Sequence, residues 1–230
     1  AKNEEAYENV FVIHYPDEER GAARPLRTAP CYDRLKGLGA VFGQKFGWER
    51  ANWFAPDGTP QDDHWSFRRS NWFEHVGNEV RHTAEHAGLL DMSAFAKCRI
   101  SGPGAAAFMD HLTANKLPKG IGRVSLSHAL TERGGVHSEY TIQREAADSF
   151  YVVSAGAGQR LDHDWIKKHM PTDGSVRFDN LTNSIGVLVL AGPRARDILQ
   201  KLTRTDLSNS AFPWLSSKLI DVNLAPAMAF

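Results

Sequence analysis

The sequence predicts an α+β fold built from ferredoxin-like split β-α-β units, the second of which is incomplete at the C-terminus. Short apolar strands alternate with amphipathic helices after residue 75. A strand, a Gly-Pro turn and a helix occur at Ser101–Thr113 and again at Ala191–Thr203, with an offset of 90 residues. Repetition of such a unit, followed by further strands, is typical of ferredoxin-like folds, although Gly-Pro turns also precede helices in unrelated folds.

The composition is that of a globular protein and excludes several classes. Hydrophobic residues make up 42% of the 230 residues and charged residues 23%, which excludes a disordered chain, a collagen-like fibre and a disulfide scaffold. Basic and acidic residues number 27 each, so no basic excess favours nucleic acid. The longest apolar run, Ile185–Ala191, is too short to span a membrane. Residues 1–9 carry three glutamates rather than the apolar core of a signal peptide.

The two cysteines indicate the compartment. Cys31 and Cys98 lie in different contexts and form no CxxC pair. A reducing compartment follows as the default. We therefore expect a cytoplasmic location, or the mitochondrial matrix if the source is a eukaryote.

Residues 1–75 differ from the rest of the chain. They hold five of the eleven prolines and four of the six tryptophans, and no long periodic helix is visible. So many aromatic side chains need to be covered. We predict an irregular, Trp-rich connector that packs onto another surface.

Apolar spacing predicts the elements that follow. Apolar residues recur at helical intervals over 76–87, and Gly88 ends that helix. Alternation over 96–101 predicts a half-buried strand with Lys97 facing outward. Pro103 then occupies the position expected for a first helical residue.

The remaining elements come from the same patterns. Two alternating segments around a Gly-Gly turn predict a hairpin. Continuous apolar runs predict buried strands, and charges that complement the helix dipole support one more helix. In order, these are a hairpin of 126–130 and 136–142, a strand over 150–154, a helix over 158–169, a buried strand over 185–191 and a helix over 195–202.

The repeat also gives a length argument. The first unit runs from residue 96 to about residue 170, and a second unit of equal size would extend beyond Phe230. An unfinished sheet leaves an exposed edge. We therefore expect another chain, a swapped copy or a further C-terminal segment to complete it.

Two patterns resemble ligand sites without matching one. His82 and His86 lie four residues apart, but no glutamate follows the first histidine and no third ligand is near, so no metal site is predicted. Gly156 and Gly158 follow a strand and precede a helix, but the third glycine of a dinucleotide fingerprint is Leu161. The loop formed by Ser154, Ala155, Gly156, Ala157 and Gly158 is either a tight turn or a backbone wall against a flat polar ligand.

Glu139 is the candidate catalytic residue. With a period of two along its strand, it faces away from Ser138 and Tyr140. A solvent-facing strand would give the same pattern, so spacing alone leaves both interpretations open.

Taken together, these segments resemble a known family. The block Gly39–Phe54 is similar to the segment that joins the two halves of dimethylglycine and sarcosine dehydrogenases. Later segments resemble the folate-binding aminomethyltransferase domain related to the glycine-cleavage T-protein. The supporting segments are Arg24–Asp33, Ser66–Arg69, Leu90–Lys97, Gly134–Glu139, Phe150–Ser154 and Gly186–Pro193.

The resemblance implies a fold and a function. Residues 76–230 would be the N-terminal part of a T-protein-like folate-binding domain, and residues 1–75 a connector to an FAD domain that this sequence does not contain. Such enzymes oxidise an N-methyl amine with FAD, and tetrahydrofolate captures the resulting one-carbon unit as 5,10-methylenetetrahydrofolate. By position, Glu139 matches the T-protein aspartate that addresses the pterin, with a side chain longer by one methylene. The resemblance also makes the loop at Ser154–Gly158 a candidate wall against the folate, and it leaves Leu126, His128 and Leu130 either as folate-contacting pocket residues or as ordinary strand packing.

Three functions remain open from the sequence. The chain is the one-carbon-capturing part of a flavin-dependent N-methyl amine dehydrogenase, a non-catalytic folate-binding or assembly module, or a stand-alone aminomethyltransferase fed by a lipoyl carrier. The Trp-rich connector argues against the third, since a carrier-fed enzyme needs no junction to a flavin domain. The amine substrate is not indicated by this sequence.

Overall fold

The computed structural model describes all 230 residues as helices, strands and connecting turns. The helices are α1 (Lys2–Glu8), α2 (Tyr32–Gly37), α3 (Phe73–Glu85), α4 (Ala105–Leu112), α5 (Gln159–His169) and α6 (Ala195–Gln200). The strands are β1 (Ala40–Lys45), β2 (Trp48–Phe54), β3 (Gly88–Asp91), β4 (Ala96–Ser101), β5 (Val124–Leu130), β6 (Val136–Ala146), β7 (Ser149–Ser154), β8 (Arg177–Asn180), β9 (Leu188–Ala191), β10 (Lys218–Val222) and β11 (Ala225–Ala229). None of the helices is long and apolar enough to cross a membrane.

The chain divides into two compact units. Unit 1 comprises Ala1–Ala94 with Gly186–Pro193, and unit 2 comprises Phe95–Ile185 with Arg194–Phe230. Unit 1 contains the β1–β2 hairpin and an antiparallel pair of β3 with β9. Unit 2 contains a five-stranded sheet and the β10–β11 hairpin.

The Trp-rich connector is more regular than the sequence predicts. Strands β1 and β2 pair antiparallel and are joined by the two residues Phe46 and Gly47. Both have positive φ, at 52° and 86°, which is the backbone of a type I′ hairpin turn. The tryptophans are covered within unit 1: Trp53 is buried with Val41 and Ala55, and Trp72 packs against this cluster.

The main sheet in unit 2 has the strand order β5-β6-β7-β4-β8, and all of its neighbouring strands are antiparallel. Consequently β7 and β8 run parallel with β4 between them, and the β7–α5–β8 connection is one split β-α-β unit. Strand direction alternates along the sheet, so β4 and β5 run antiparallel and β4–α4–β5 is not a split β-α-β unit. The predicted pair of ferredoxin-like units is therefore not confirmed, although the mixture of helices and antiparallel sheets is.

One hydrophobic core lies on the helix-covered face of this sheet. Cys98 and Ile100 of β4, Tyr140 and Ile142 of β6, and Phe150 and Val152 of β7 face it because alternate residues of a strand share a face. Helix α4 contributes Ala105, Phe108, Met109 and Leu112, and α5 contributes Ile166.

Three sequence expectations need correction. Lys97 was expected to face solvent but is fully buried. On its face of the sheet, Met228 of β11 contacts Gln143, and Phe230, the residue after β11, packs on Tyr151. The run over 185–191 was expected to be a buried strand, but only Leu188–Ala191 is a strand, and its leucines and valine remain partly exposed. Pro103 precedes α4 by two residues rather than beginning it.

Candidate functional site

The predicted site residues lie at one end of the five-stranded sheet, where β5 and β7 end and β6 begins. His128 is paired with Glu139, and Leu126 is paired with Thr141, which in turn is paired with Val153. Because alternate residues share a face, Leu126, His128 and Glu139 lie on the face opposite to the core. Tyr140, the neighbour of Glu139, is buried in that core. The predicted orientation of Glu139 is therefore correct.

Glu139 and His128 form a surface pair. His128 Nε2 lies 3.2 Å from Glu139 Oε2, and the side chains are 44% and 68% exposed. Three exposed apolar residues, Leu126, Leu130 and Val136, belong to the same two strands. This end of the sheet thus offers a carboxylate and an imidazole among apolar side chains, on an open surface rather than in an enclosed cleft.

The loop at Ser154–Gly158 lies at the same end of the sheet but is directed to the other face. Ser154 is adjacent in sequence to Val153, so its side chain points to the helix-covered side. Its hydroxyl donates to Asp162 Oδ2 at 2.5 Å. Ala155 is exposed, and Gly156–Gly158 form a short 3₁₀ turn that leads into α5. Glu139 and this loop are therefore neighbours along the sheet end but do not line one common face.

A buried carboxylate that the sequence did not single out organises this loop. Asp162, in the first turn of α5, is buried and accepts hydrogen bonds from two serines on different strands, Ser138 Oγ and Ser154 Oγ. A side chain at position 158 would crowd it, since an added Cβ there would lie 3.1 Å from Asp162 Oδ2. The only sequence signal was its place in a first helical turn, which we attributed to the helix dipole.

Asp162 also influences the core around it. Burial raises the pKa of the Cys98 thiol to about 12, and the charge of Asp162 adds to the effect. Burial likewise raises the pKa of Tyr140, again with a contribution from Asp162. Both groups therefore stay protonated at neutral pH, and neither provides a nucleophile or a base.

The remaining candidates do not form sites at this end of the sheet. The rings of His82 and His86 pack together with 4.9 Å between their centroids. No group of three or more His, Cys, Asp or Glu side chains is arranged to hold a metal ion. Two cavities, of about 440 and 260 Å³, are lined by residues between Lys2 and Val76. Neither contains a residue that the sequence analysis proposed for folate.

Comparison with known proteins identifies the family. The sequence profile described as the GCVT N-terminal domain matches residues 31–230. The chain belongs to this family. The resemblance inferred from the sequence motifs is thereby confirmed, and the matched range includes the β1–β2 hairpin as well as both ends of the five-stranded sheet.

Two mouse proteins illustrate the relatives of this GCVT-type chain. It is 38% identical to mitochondrial dimethylglycine dehydrogenase of Mus musculus over 231 aligned positions, covering 100% of this chain and 26% of that protein. It is 31% identical to the mitochondrial pyruvate dehydrogenase phosphatase regulatory subunit of Mus musculus, covering 94% of this chain and 25% of that one. The chain thus spans about a quarter of the length of the curated relatives it matches.

A solved structure supports the same fold. The glycine cleavage system aminomethyltransferase T of Bartonella henselae superposes with a TM-score of 0.61 at 25% sequence identity. The match covers 77% of this chain and 44% of that one. The T-protein likeness predicted from the sequence therefore holds for the three-dimensional fold.

Proposed function

We propose that this chain is the tetrahydrofolate-binding part of an FAD-dependent N-methyl amine dehydrogenase of the dimethylglycine or sarcosine type. It captures the one-carbon unit of an iminium as 5,10-methylenetetrahydrofolate. The observation that carries the proposal is the 38% identity to dimethylglycine dehydrogenase across the whole chain, within a GCVT-type domain. Flavin oxidation of the amine belongs to another part of a longer protein or to another chain.

The residues at the sheet end fit a reduced pterin in their chemistry. Exposed Leu126, Leu130 and Val136 offer apolar surface to the face of a flat ring. Glu139 Oε1 and Oε2 offer acceptors for the ring N–H groups, and His128 is the one partner that Glu139 has in the structure. The open surface means that a second wall, from outside this sheet face, is needed to enclose a ligand.

Glu139 would stabilise positive charge and accept a proton, and His128 would pass that proton to solvent. Bound tetrahydrofolate would supply the amine nitrogens that take up the one-carbon unit. Transfer of the carbon to both folate nitrogens would release the demethylated amine and one proton, and a carboxylate beside the reacting nitrogens would stabilise the positive charge and accept that proton. His128, at 3.2 Å from Glu139, is placed to receive the proton and pass it to solvent because both side chains are exposed.

The loop of Ser154, Ala155, Gly156 and Gly158 would bound the ligand at the sheet end. Asp162 holds Ser154 in place, which fixes the point where the loop leaves β7. The exposed backbone at Ala155 can then contact the polar edge or side chain of a folate. We place the protein in the mitochondrial matrix if its source is a eukaryote, by analogy with its mitochondrial relatives, and otherwise in the cytoplasm.

Replacement of Glu139 tests the proposal in the full-length protein that contains this chain. For Glu139→Gln we expect an unchanged rate of flavin reduction by the amine and a shift of product from 5,10-methylenetetrahydrofolate to free formaldehyde. The measurement is stopped-flow flavin absorbance together with product analysis in the presence of tetrahydrofolate. Glu132→Gln, at an exposed glutamate in the β5–β6 turn, is the matched control. An unaltered product ratio in Glu139→Gln would remove Glu139 from the mechanism.

A non-catalytic role is the second candidate, and one observation favours it. A relative of similar coverage carries the name of a phosphatase regulatory subunit. If this chain has such a role, reduced folate would bind to it, but Glu139→Gln would change no product ratio in any flavoprotein assembly. Both functions predict binding in a titration of the chain with tetrahydrofolate, so the product assay above separates them.

A further inference from the structure

Glu139 lies where strand β6 has lost one of its two neighbouring strands. The pairing of β6 with β7 begins only at Thr141, which lies opposite Val153 near the end of β7. Glu139 is two residues before that point and pairs only with His128 of β5. Strand segments with fewer partners open more easily. The backbone of Glu139 therefore needs support from outside the ladder.

A β-bulge interrupts the pairing of β6 with β5 as well. The register shifts after Ala129 of β5, so His137 of β6 is an extra residue that lies opposite no residue of β5. A bulge bends its strand and redirects the side chains beside it. Glu139 thus lies between a bulge on one strand pair and the end of the ladder on the other.

Helix α5 supports this segment from the core face. Asp162 of α5 is buried and accepts a hydrogen bond from Ser138 Oγ of β6 and another from Ser154 Oγ of β7. The carboxylate therefore bridges the two strands where their backbone ladder has ended. Trp165, one turn later on α5, stacks on His137 with 4.0 Å between ring centroids.

The side chain of Glu139 has little support of its own. It is 68% exposed, and its partner is His128 at 3.2 Å. The position of its carboxylate consequently depends on the backbone that carries it. The two residues immediately before it, His137 and Ser138, are the ones that α5 holds.

We propose that Asp162 is a positioning residue for one-carbon transfer and acts through Ser138 on the placement of Glu139. The inference rests on the function proposed above, in which Glu139 lies beside the reacting folate nitrogens. Displacement of a reacting group by about 1 Å can cost on the order of 100-fold in rate. The bond from Ser154 has a different role, since it fixes the loop proposed to bound the folate. One carboxylate thus serves the transfer step through one serine and folate affinity through the other.

Two serine variants separate these roles in the full-length protein that contains this chain. Ser138→Ala and Ser154→Ala each remove one hydrogen bond to Asp162. Both products, 5,10-methylenetetrahydrofolate and formaldehyde, are measured over a range of tetrahydrofolate concentrations, with flavin reduction by the amine as the internal reference. For Ser138→Ala we expect the ratio of captured to free one-carbon product at saturating folate to fall by about fivefold. For Ser154→Ala we expect that ratio to stay unchanged and the half-saturating folate concentration to rise by about fivefold.

Three further variants complete the set. Ser149→Ala is the matched control, because its hydroxyl donates to a different carboxylate, Glu145 Oε2, at the opposite end of β7. It should change neither parameter. Ser138→Thr keeps the hydroxyl and should retain capture, whereas Asp162→Asn should show both changes. Thermal unfolding of each variant measures its loss of stability separately.

The outcomes distinguish this inference from the proposed function. Equal losses of the saturating ratio in Ser138→Ala and Ser154→Ala would indicate general destabilisation, and a loss in Ser138→Thr would indicate packing rather than the hydrogen bond. Either result would overturn the inference. An unchanged ratio in Ser138→Ala, together with lost capture in Glu139→Gln, would overturn the inference alone and leave the proposed function standing. Failure of the unmodified protein to form 5,10-methylenetetrahydrofolate would refute the proposed function and the inference with it.

Discussion

The two copies of the strand–glycine–helix repeat adopt the same backbone but differ in burial. Gly102 and Gly192 have φ values of 117° and 111°, and α4 and α6 begin at equivalent positions three residues later. Helix α4 buries four apolar residues, whereas α6 buries none. The first copy lies within unit 2, but the second is divided between units 1 and 2.

This difference distinguishes the formation of the turn and helix from the burial of the helix against the rest of the protein. A glycine with positive φ followed by a short helix forms in both places, because glycine adopts this backbone without a steric penalty from a Cβ. Burial of the helix depends on whether a sheet lies beneath it, as the five-stranded sheet does beneath α4. The comparison predicts that substitutions in the turns have equal effects and that substitutions in the helices have unequal ones.

Alanine at either turn glycine should give the largest effect. Positive φ is unfavourable for alanine, and its Cβ would overlap the carbonyl oxygen of Ser175 at position 102 or of Thr83 at position 192. We expect Gly102→Ala and Gly192→Ala each to lower the free energy of unfolding by about 2–4 kcal/mol, measured by urea denaturation. Gly174→Ala, with φ of 78° and open space around it, should cost about 1 kcal/mol. A small effect at one turn only would show that the two turns are not equivalent.

Equivalent helix positions should respond differently. Met109 of α4 is buried, and Leu199 of α6, which is 90 residues later, is partly exposed. Met109→Ala should cost about 2–5 kcal/mol through lost burial and a cavity, and Leu199→Ala below about 1 kcal/mol. Thermal unfolding followed by circular dichroism measures both. If the two costs were equal, α6 would be covered to the same extent as α4 in solution.

A pH-dependent contribution to stability should be the smallest of these effects. Burial, with a contribution from Lys167, lowers the pKa of His163 on α5, so the folded protein favours neutral His163. Stability from this residue is complete above the ordinary histidine pKa of about 6.5 and declines as the pH falls toward the folded value. Urea denaturation at pH 8 and pH 5.5 should show a smaller difference for His163→Gln than for the unmodified chain. His111→Gln, at an exposed histidine of α4, should retain the full difference.

Elements with strong periodicity could be predicted from the sequence. The hairpin of β5 and β6 was predicted because apolar and polar residues alternate on both sides of Gly134 and Gly135. Strand β7 and helix α5 were also predicted within two residues of their bounds. In each case the local pattern and the final packing agree.

The β1–β2 hairpin could not be predicted by the usual turn signals. Its two turn residues are Phe46 and Gly47, and an aromatic residue rarely adopts positive φ. Asn-Gly or Asp-Gly would have indicated the same turn. The burial of Lys97 was also missed, because alternation assigns it to a solvent face. Within unit 2 that face also carries contacts from Met228 and Phe230, which are distant in sequence.

The sequence predicted which strands and loop carry the candidate residues, but not that Glu139 and the loop at Ser154–Gly158 lie on opposite faces of the sheet. The strand period gave the orientation of Glu139, whereas the family resemblance made Leu126 and His128 candidates. The loop at Ser154–Gly158 lies on the other face, because Ser154 is one residue beyond Val153 on β7. Whether this loop contacts folate stays a prediction, and Asp162 was missed since its partners Ser138 and Ser154 are remote in sequence.

The two hydrogen bonds of Asp162 fix the helix register. Each carboxylate oxygen receives a hydroxyl from a different strand, β6 or β7. If α5 slid along the sheet by one turn, the buried carboxylate of Asp162 would lose both of its partners, and each lost bond to such a charge costs about 1.5–3 kcal/mol. Apolar packing alone would tolerate such a slip more easily. The position of α5 on the sheet, and with it the point where the chain leaves β7, is therefore set by the hydrogen bonds of Asp162 as well as by apolar packing.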